Sequence, residues 1–132
     1  INLGPKEGKA AGIKLTGNLF LITLTAGLSD ALALAKAEGI SAADVAELFN
    51  QWNPGASIPA RLKFITAGDF SRPSWELNMA RKDAGLMMAA AKEGNTQLSV
   101  LPSVAHVMDE WIEKGHGNDD WTVITKNNIA QE

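Results

Sequence analysis

Ala10-Ala11-Gly12-Ile13-Lys14-Leu15-Thr16-Gly17-Asn18-Leu19-Phe20-Leu21-Ile22-Thr23-Leu24-Thr25-Ala26-Gly27-Leu28-Ser29-Asp30 is the stretch that decides the fold. No charge falls between Lys14 and Asp30. That run is shorter than the roughly 20 apolar residues a bilayer span needs, so it reads as a helix buried in protein. Leu19, Phe20, Ile22, Leu24, Leu28, Leu32 and Leu34 fall on several sides of a 3.6-residue period. The expected helix runs from about Ala10 to Glu38 and is ended by Gly39. A helix apolar on several sides is central, with others packed around it. Gly12, Gly17 and Gly27 each weaken it by about 1 kcal/mol relative to Ala. The expected return is close approach of a neighbouring backbone or a ligand.

Working outward, the periodicity stays helical nearly everywhere. Ser41 is expected to cap a second helix, with Asp44 in the capping-box position and Val45, Leu48, Phe49 and Trp52 on one face. Asn53-Pro54-Gly55 stops it. Ser57 is expected to cap a third helix carrying Ile58, Leu62 and Ile65, ending near Gly68. Residues 69–74 read as a loop punctuated by Pro73. A fourth helix is predicted from about Leu77 to Glu93, stopped by Gly94. Residues 95–101 read as an extended connection. A fifth helix begins near Pro102-Ser103 and presents Val104, Val107, Met108, Trp111 and Ile112, with Lys114-Gly115 as its end. Asn118 or Asp119 is expected to cap a short last helix over 120–126. The fold class is therefore all-α, about six helices around a long central one, in a single domain over 1–132.

Composition narrows the function. The 132 residues are 45% hydrophobic and 20% charged, which suits one soluble domain rather than a disordered chain. The net charge of −3 and the lack of a basic stripe argue against nucleic acid as a partner, and no membrane partner is expected either. Cysteine is absent, which excludes disulfides and thiolate metal sites and fits a cytoplasmic setting. Ile1-Asn2-Leu3-Gly4-Pro5 lacks both the pattern of a signal peptide and an initiator Met, so a fragment or processed product is expected.

Lys14 and Asn18, four apart, share one helical face one turn from each other, with Gly17 beside them leaving room. If the helix is buried as its pattern indicates, Lys14 lies where a cavity wall meets the core. Desolvation there lowers a lysine pKa from about 10.4 and lets the amine exchange a proton near neutral pH. The same spacing also describes two solvated groups on a helix surface. Lys82-Asp83 follows Arg81 early in the fourth helix. Lys82 could reach a phosphate or carboxylate, or belong to a solvated face. His106 and His116 are ten apart and Asp119-Asp120 suits capping, so no metal is expected. Met79, Met87 and Met88 read as core. Trp52, Trp75, Trp111 and Trp121 read as packing residues, some at a subunit interface. No Gly-x-Gly-x-x-Gly occurs, so no Rossmann phosphate loop is present in the sequence.

Three stretches together resemble the β-hydroxyacid dehydrogenase family. It includes 3-hydroxyisobutyrate dehydrogenase and the tartronate, glyoxylate and succinic semialdehyde reductases, and is more distantly related to 6-phosphogluconate dehydrogenase. The stretches are Gly8-Lys9-Ala10-Ala11-Gly12-Ile13-Lys14-Leu15-Thr16-Gly17-Asn18, Lys82-Asp83-Ala84-Gly85-Leu86-Met87-Met88 and Gly115-His116-Gly117-Asn118-Asp119-Asp120. The likeness runs from Leu3-Gly4-Pro5 to about Lys126 and corresponds to the family's helical C-terminal domain. It implies a nucleotide-binding Rossmann domain N-terminal to this chain and absent from it, so that the chain alone is inactive. It implies an enzyme that interconverts a small β-hydroxyacid and its semialdehyde with NAD or NADP. It implies Lys14 as catalytic acid/base, Asn18 and Gly17 at the substrate, Lys82 and Asp83 at the cofactor side, and a homodimer or homotetramer. Gly17 stands where the family has a first Asn, Ala10 where a second glycine is usual, and Gly4-Pro5 one residue further from the lysine. Lys14 counts against the related imine reductases, which usually lack lysine there. Against the enzyme stands a second reading, a non-catalytic helical dimerisation module of the same fold.

Overall fold

The computed structural model describes Gly4 and residues 8–131; Leu3 and Pro5, the start of the family likeness, lie outside the described residues. Five α-helices follow one another: α1 (Lys9–Ala37), α2 (Ala42–Gln51), α3 (Ile58–Ala67), α4 (Leu77–Glu93) and α5 (Leu101–Trp111). A π turn over Ile112–His116 and a 3-10 segment over Trp121–Asn128 close the chain. Among the described residues there is no strand; Glu76 and Asp120 form an isolated antiparallel bridge.

The core lies where α4, α5 and the last 3-10 segment meet. Leu77, Ala80 and Ala84 fall on one face of α4 and pack with Ala105, Met108 and Trp111 of α5, and with Phe70 and Val123. The run of alanines lets the α4 and α5 backbones approach closely. A Cβ on Gly117 would meet the end of the Asn78 side chain, which would have to move to admit any larger residue there.

Capping follows local chemistry, with two corrections to expectation. Ser41 caps α2, its Oγ accepting from the Asp44 N–H at 3.1 Å and donating to the Asp44 carboxylate at 2.7 Å. Ser57 does not cap α3. A 3-10 turn over Pro54–Ser57 already leads into that helix, so Ser57 is helical and its hydroxyl donates back to the Pro54 carbonyl. Asp120, not Asn118 or Asp119, caps the last segment through the Thr122 N–H at 3.0 Å.

The long helix carries the most consequential finding. α2 and α4 pack against the C-terminal third of α1, where Ala35 is buried. A Cβ on Gly94 would run into Ala37, so glycine is required where the ends of α1 and α4 cross. Asp30 ties the same third to α5. Its carboxylate accepts from the Ser99 N–H at 2.6 Å, the Val100 N–H at 3.0 Å and the Leu101 N–H at 2.9 Å. N-terminal to that, the described residues leave α1 largely uncovered. Leu15 is 69% exposed, Leu19 64% and Ile22 70%. Nothing lies within 4 Å of a Cβ built on Gly12, Gly17 or Gly27, so the close approach expected there is not found among the described residues. α1 is also long and apolar enough to cross a membrane by length and composition.

Candidate functional site

Lys14, Gly17 and Asn18 all lie on the uncovered shaft of α1 and are exposed. Helical geometry sets Lys14 and Asn18 on one face, as expected. The cavity wall expected behind Lys14 is not found among the described residues, because α2 and α4 meet α1 only further on. Lys14 is exposed there, so the burial expected of it is not seen.

Lys82 is exposed on α4 and Asp83 is half-buried beside it. Lys82 is flanked at helical spacing by Met79 and Leu86, which are 47% and 61% exposed. Its neighbour Arg81 is committed elsewhere: Nε donates to Asp109 Oδ1 at 2.7 Å and Nη2 to Asp109 Oδ2 at 3.2 Å, a forked bridge from α4 to α5. Lys82, by contrast, makes no ion pair among the described residues, which leaves its ammonium available to an anion.

A cleft of about 680 Å³ lies between α1, α2 and α4 and is walled by Leu34, Val45, Leu48, Phe49, Leu86 and Met87. A second, of about 320 Å³, opens on the other side of α1, where Leu34 and Met87 meet Leu98, Leu101 and Val104. Lys82 sits one helical turn before Leu86, which walls the 680 Å³ cleft, but does not itself line it. Lys14, Gly17 and Asn18 border neither, so the chain does not bring the two lysines into one pocket.

Several expectations change with the coordinates. Met88 packs on the core, but Met79 is exposed and Met87 lines both clefts. Trp111 is buried, whereas Trp52 stands 56% exposed. His106 is exposed and pairs with Glu110 at 3.1 Å; His116 pairs with Asp119 at 2.7 Å. No group of three metal-ligating side chains occurs among the described residues.

Two carboxylates hold together segments that lie far apart in the chain. Burial disfavours the charge on Asp30, but three backbone N–H groups outweigh it and hold its carboxyl below the ordinary range. Burial likewise opposes the charge on Asp120, and is outweighed by Thr122 and Ser74 donors, so its pKa is also lowered. The sequence signal for Asp120 was the Asp119-Asp120 capping pair, together with an Asp two residues before a Thr, an Asx-turn pattern. For Asp30 there was none, since its partners lie about 70 residues away in the chain.

Residues 8–128 match the family model described as the C-terminal domain of NADPH-dependent reductive aminase-like proteins. The chain belongs to that family. The likeness read from its motifs holds: this reductive aminase-like domain is a C-terminal domain of the β-hydroxyacid dehydrogenase-like kind. Over 122 residues it is 29% identical to 2-(hydroxymethyl)glutarate dehydrogenase of Eubacterium barkeri, covering 90% of this chain and 40% of that protein. Over 130 residues it is 31% identical to mitochondrial 3-hydroxyisobutyrate dehydrogenase of Drosophila melanogaster, covering 89% and 38%. Its fold matches a reductive aminase from Aspergillus terreus, solved with NADPH4, cyclohexanone and allyl amine. That match has a TM-score of 0.83 at 23% identity and covers 96% of this chain and 45% of that one. The domain thus spans about two-fifths of the length of its relatives, which are oxidoreductases of the nicotinamide-dependent type.

The residues present fit only part of a nicotinamide site. Lys82 is an uncommitted cation suited to a phosphate or carboxylate. The described residues hold neither a strand nor a glycine-rich phosphate turn to cradle a dinucleotide.

Proposed function

We propose that this reductive aminase-like domain is the substrate half of an NAD(P)-dependent oxidoreductase that interconverts a small β-hydroxyacid and its semialdehyde. The observation that carries the proposal is Lys14 with Asn18 one turn along the same face of α1, at the position that the likeness to β-hydroxyacid dehydrogenases gives to an acid/base lysine. A nicotinamide cofactor, held mainly outside this domain, would supply the hydride chemistry. Lys14 accepts the hydroxyl proton in oxidation and returns it to the carbonyl oxygen in reduction. The Asn18 amide holds the substrate oxygen, and Gly17 keeps that face open. Lys82, with Asp83, contacts the cofactor or the substrate carboxylate from α4. A nucleotide-binding domain N-terminal to α1 supplies the dinucleotide site, so the 132-residue chain alone is inactive, and the proposed setting is cytoplasmic.

The enzyme is proposed to be a homodimer, or a tetramer built from such dimers, joined through α1. Nine large apolar side chains of that helix, from Ile13 to Leu32, are between 42% and 70% exposed. Monomers rarely leave such a surface open. A second copy laid along the shaft would supply the cover that Lys14 needs.

The test is made on the protein at its natural length. Lys14→Ala is expected to lower kcat by about 10²- to 10⁴-fold on a small β-hydroxyacid, with cofactor KM unchanged. Unchanged turnover would remove Lys14 from the chemistry. The uncovered α1 also favours a second reading, a dimerisation module without catalysis. That reading requires a stable dimer and no cofactor-dependent turnover on hydroxyacids, semialdehydes, or ketones supplied with an amine.

A further inference from the structure

A third cleft, of about 250 Å³, lies away from α1, between α3 and the last 3-10 segment. Its walls are Arg61 and Phe64 of α3, Ser57 at the start of that helix, Ser74, Asp120 and Trp121. The guanidinium carbon of Arg61 lies over the Trp121 ring, 5.2 Å from its centroid. Arg61 makes no ion pair and no hydrogen bond among the described residues.

The other polar groups in the cleft have already spent their donors. Ser57 Oγ donates to the Pro54 carbonyl at 2.8 Å. Ser74 gives its N–H and Oγ to Asp120 Oδ2 at 3.0 and 3.2 Å. Thr122 gives its N–H and Oγ1 to Asp120 Oδ1 at 3.0 and 2.5 Å. The Arg61 fork is therefore the charged donor set left unspent in the cleft, beside the indole N–H of Trp121. A guanidinium fork matches the two oxygens of a carboxylate, as a lysine point charge does not.

The platform under Arg61 is rigid before any ligand arrives. Trp121 donates its backbone N–H to the Trp75 carbonyl at 2.8 Å, and the two indoles meet edge to face at 5.7 Å. Phe64 packs edge to face on the buried Phe70 at 6.2 Å. Asp120 sits at the floor as an ionised carboxylate solvated by four protein donors. Its charge disfavours a second full negative charge on a ligand, and so selects a monoanion over a phosphate dianion.

We propose that this cleft binds a small monocarboxylate with a flat apolar body, the carboxylate held by Arg61 and the body set between Phe64 and Trp121. The site is independent of the oxidoreductase reading and stands or falls separately from it.

The probe is benzoate, with benzamide as its neutral isostere, titrated into the protein at its natural length by calorimetry and tryptophan fluorescence. Benzoate is expected to saturate with a Kd of about 1–10 mM, the range for so small a ligand. Benzamide is expected to bind at least about tenfold more weakly, the worth of one charge-assisted contact. Arg61→Gln should weaken benzoate by a similar factor, Trp121→Phe should remove the fluorescence change, and Lys14→Ala should leave the affinity unaltered. Equal binding of benzoate and benzamide overturns the proposal in the unaltered protein, whatever the variants do. So does a response that never saturates, one that survives in Arg61→Gln, or one abolished by Lys14→Ala.

Discussion

Replacing Asp30 by Ala removes the carboxylate through which α1 holds the start of α5. Three consecutive N–H groups, of Ser99, Val100 and Leu101, lose their acceptor together. Ser99 is exposed and water can take its place, but Val100 and Leu101 are half-buried. A lost helix cap costs about 1 kcal/mol, and each partly buried donor left unpaired about another. The expected loss is roughly 3 kcal/mol, or about 10 °C in Tm for a domain of this size. The pH dependence has a definite sign. The Asp30 carboxyl titrates below its ordinary range in the folded state, because the backbone donors outweigh burial. Its stabilisation is therefore complete above the unfolded pKa of about 3.9 and lost as pH falls through the lower folded value. The gap between the parent and Asp30→Ala should be full at neutral pH and close progressively from about pH 5 downward. Asp30→Asn, which keeps one acceptor and no charge, should cost about 1 kcal/mol with no acid dependence of its own. The assay is thermal and urea unfolding across pH, with hydrogen exchange at Ser99, Val100 and Leu101. A Tm within about 2 °C of the parent at pH 7, or a gap that persists unchanged in acid, would refute the reasoning.

Other outcomes follow from the same contacts. Leu19→Asp with Ile22→Asp, on the exposed shaft of α1, should convert the proposed dimer to monomer in sedimentation while leaving helical content intact. Gly94→Ala should lower stability by about 1–3 kcal/mol in urea unfolding, because the added methyl meets Ala37. Asp120→Ala should cost about 3 kcal/mol, since a buried carboxylate joins Ser74 to Thr122 across the core. That loss should shrink in acid for the reason given for Asp30, Asp120 also titrating below its usual range.

The sequence by itself determined the elements and most of their ends. Gly39, Asn53-Pro54-Gly55 and Gly94 stop helices for reasons local to the backbone, and they do so here within a residue or two of expectation. The motif positions of Lys14, Asn18 and Lys82 were equally legible, since spacing along one helix is a local property. Only the tertiary structure decided what each face meets. An apolar periphery on α1 looks the same in sequence whether its cover comes from α2 and α4 or from another molecule, and here α2 and α4 leave most of its N-terminal two-thirds exposed among the described residues. Met79 and Met88 have the same composition signal, yet one faces out and the other packs on the core. The Asp30 latch and the Arg61 cleft join residues far apart in the chain, and such pairings depend on how helices cross. Periodicity records which side of a helix is apolar, and carries no information about what lies opposite.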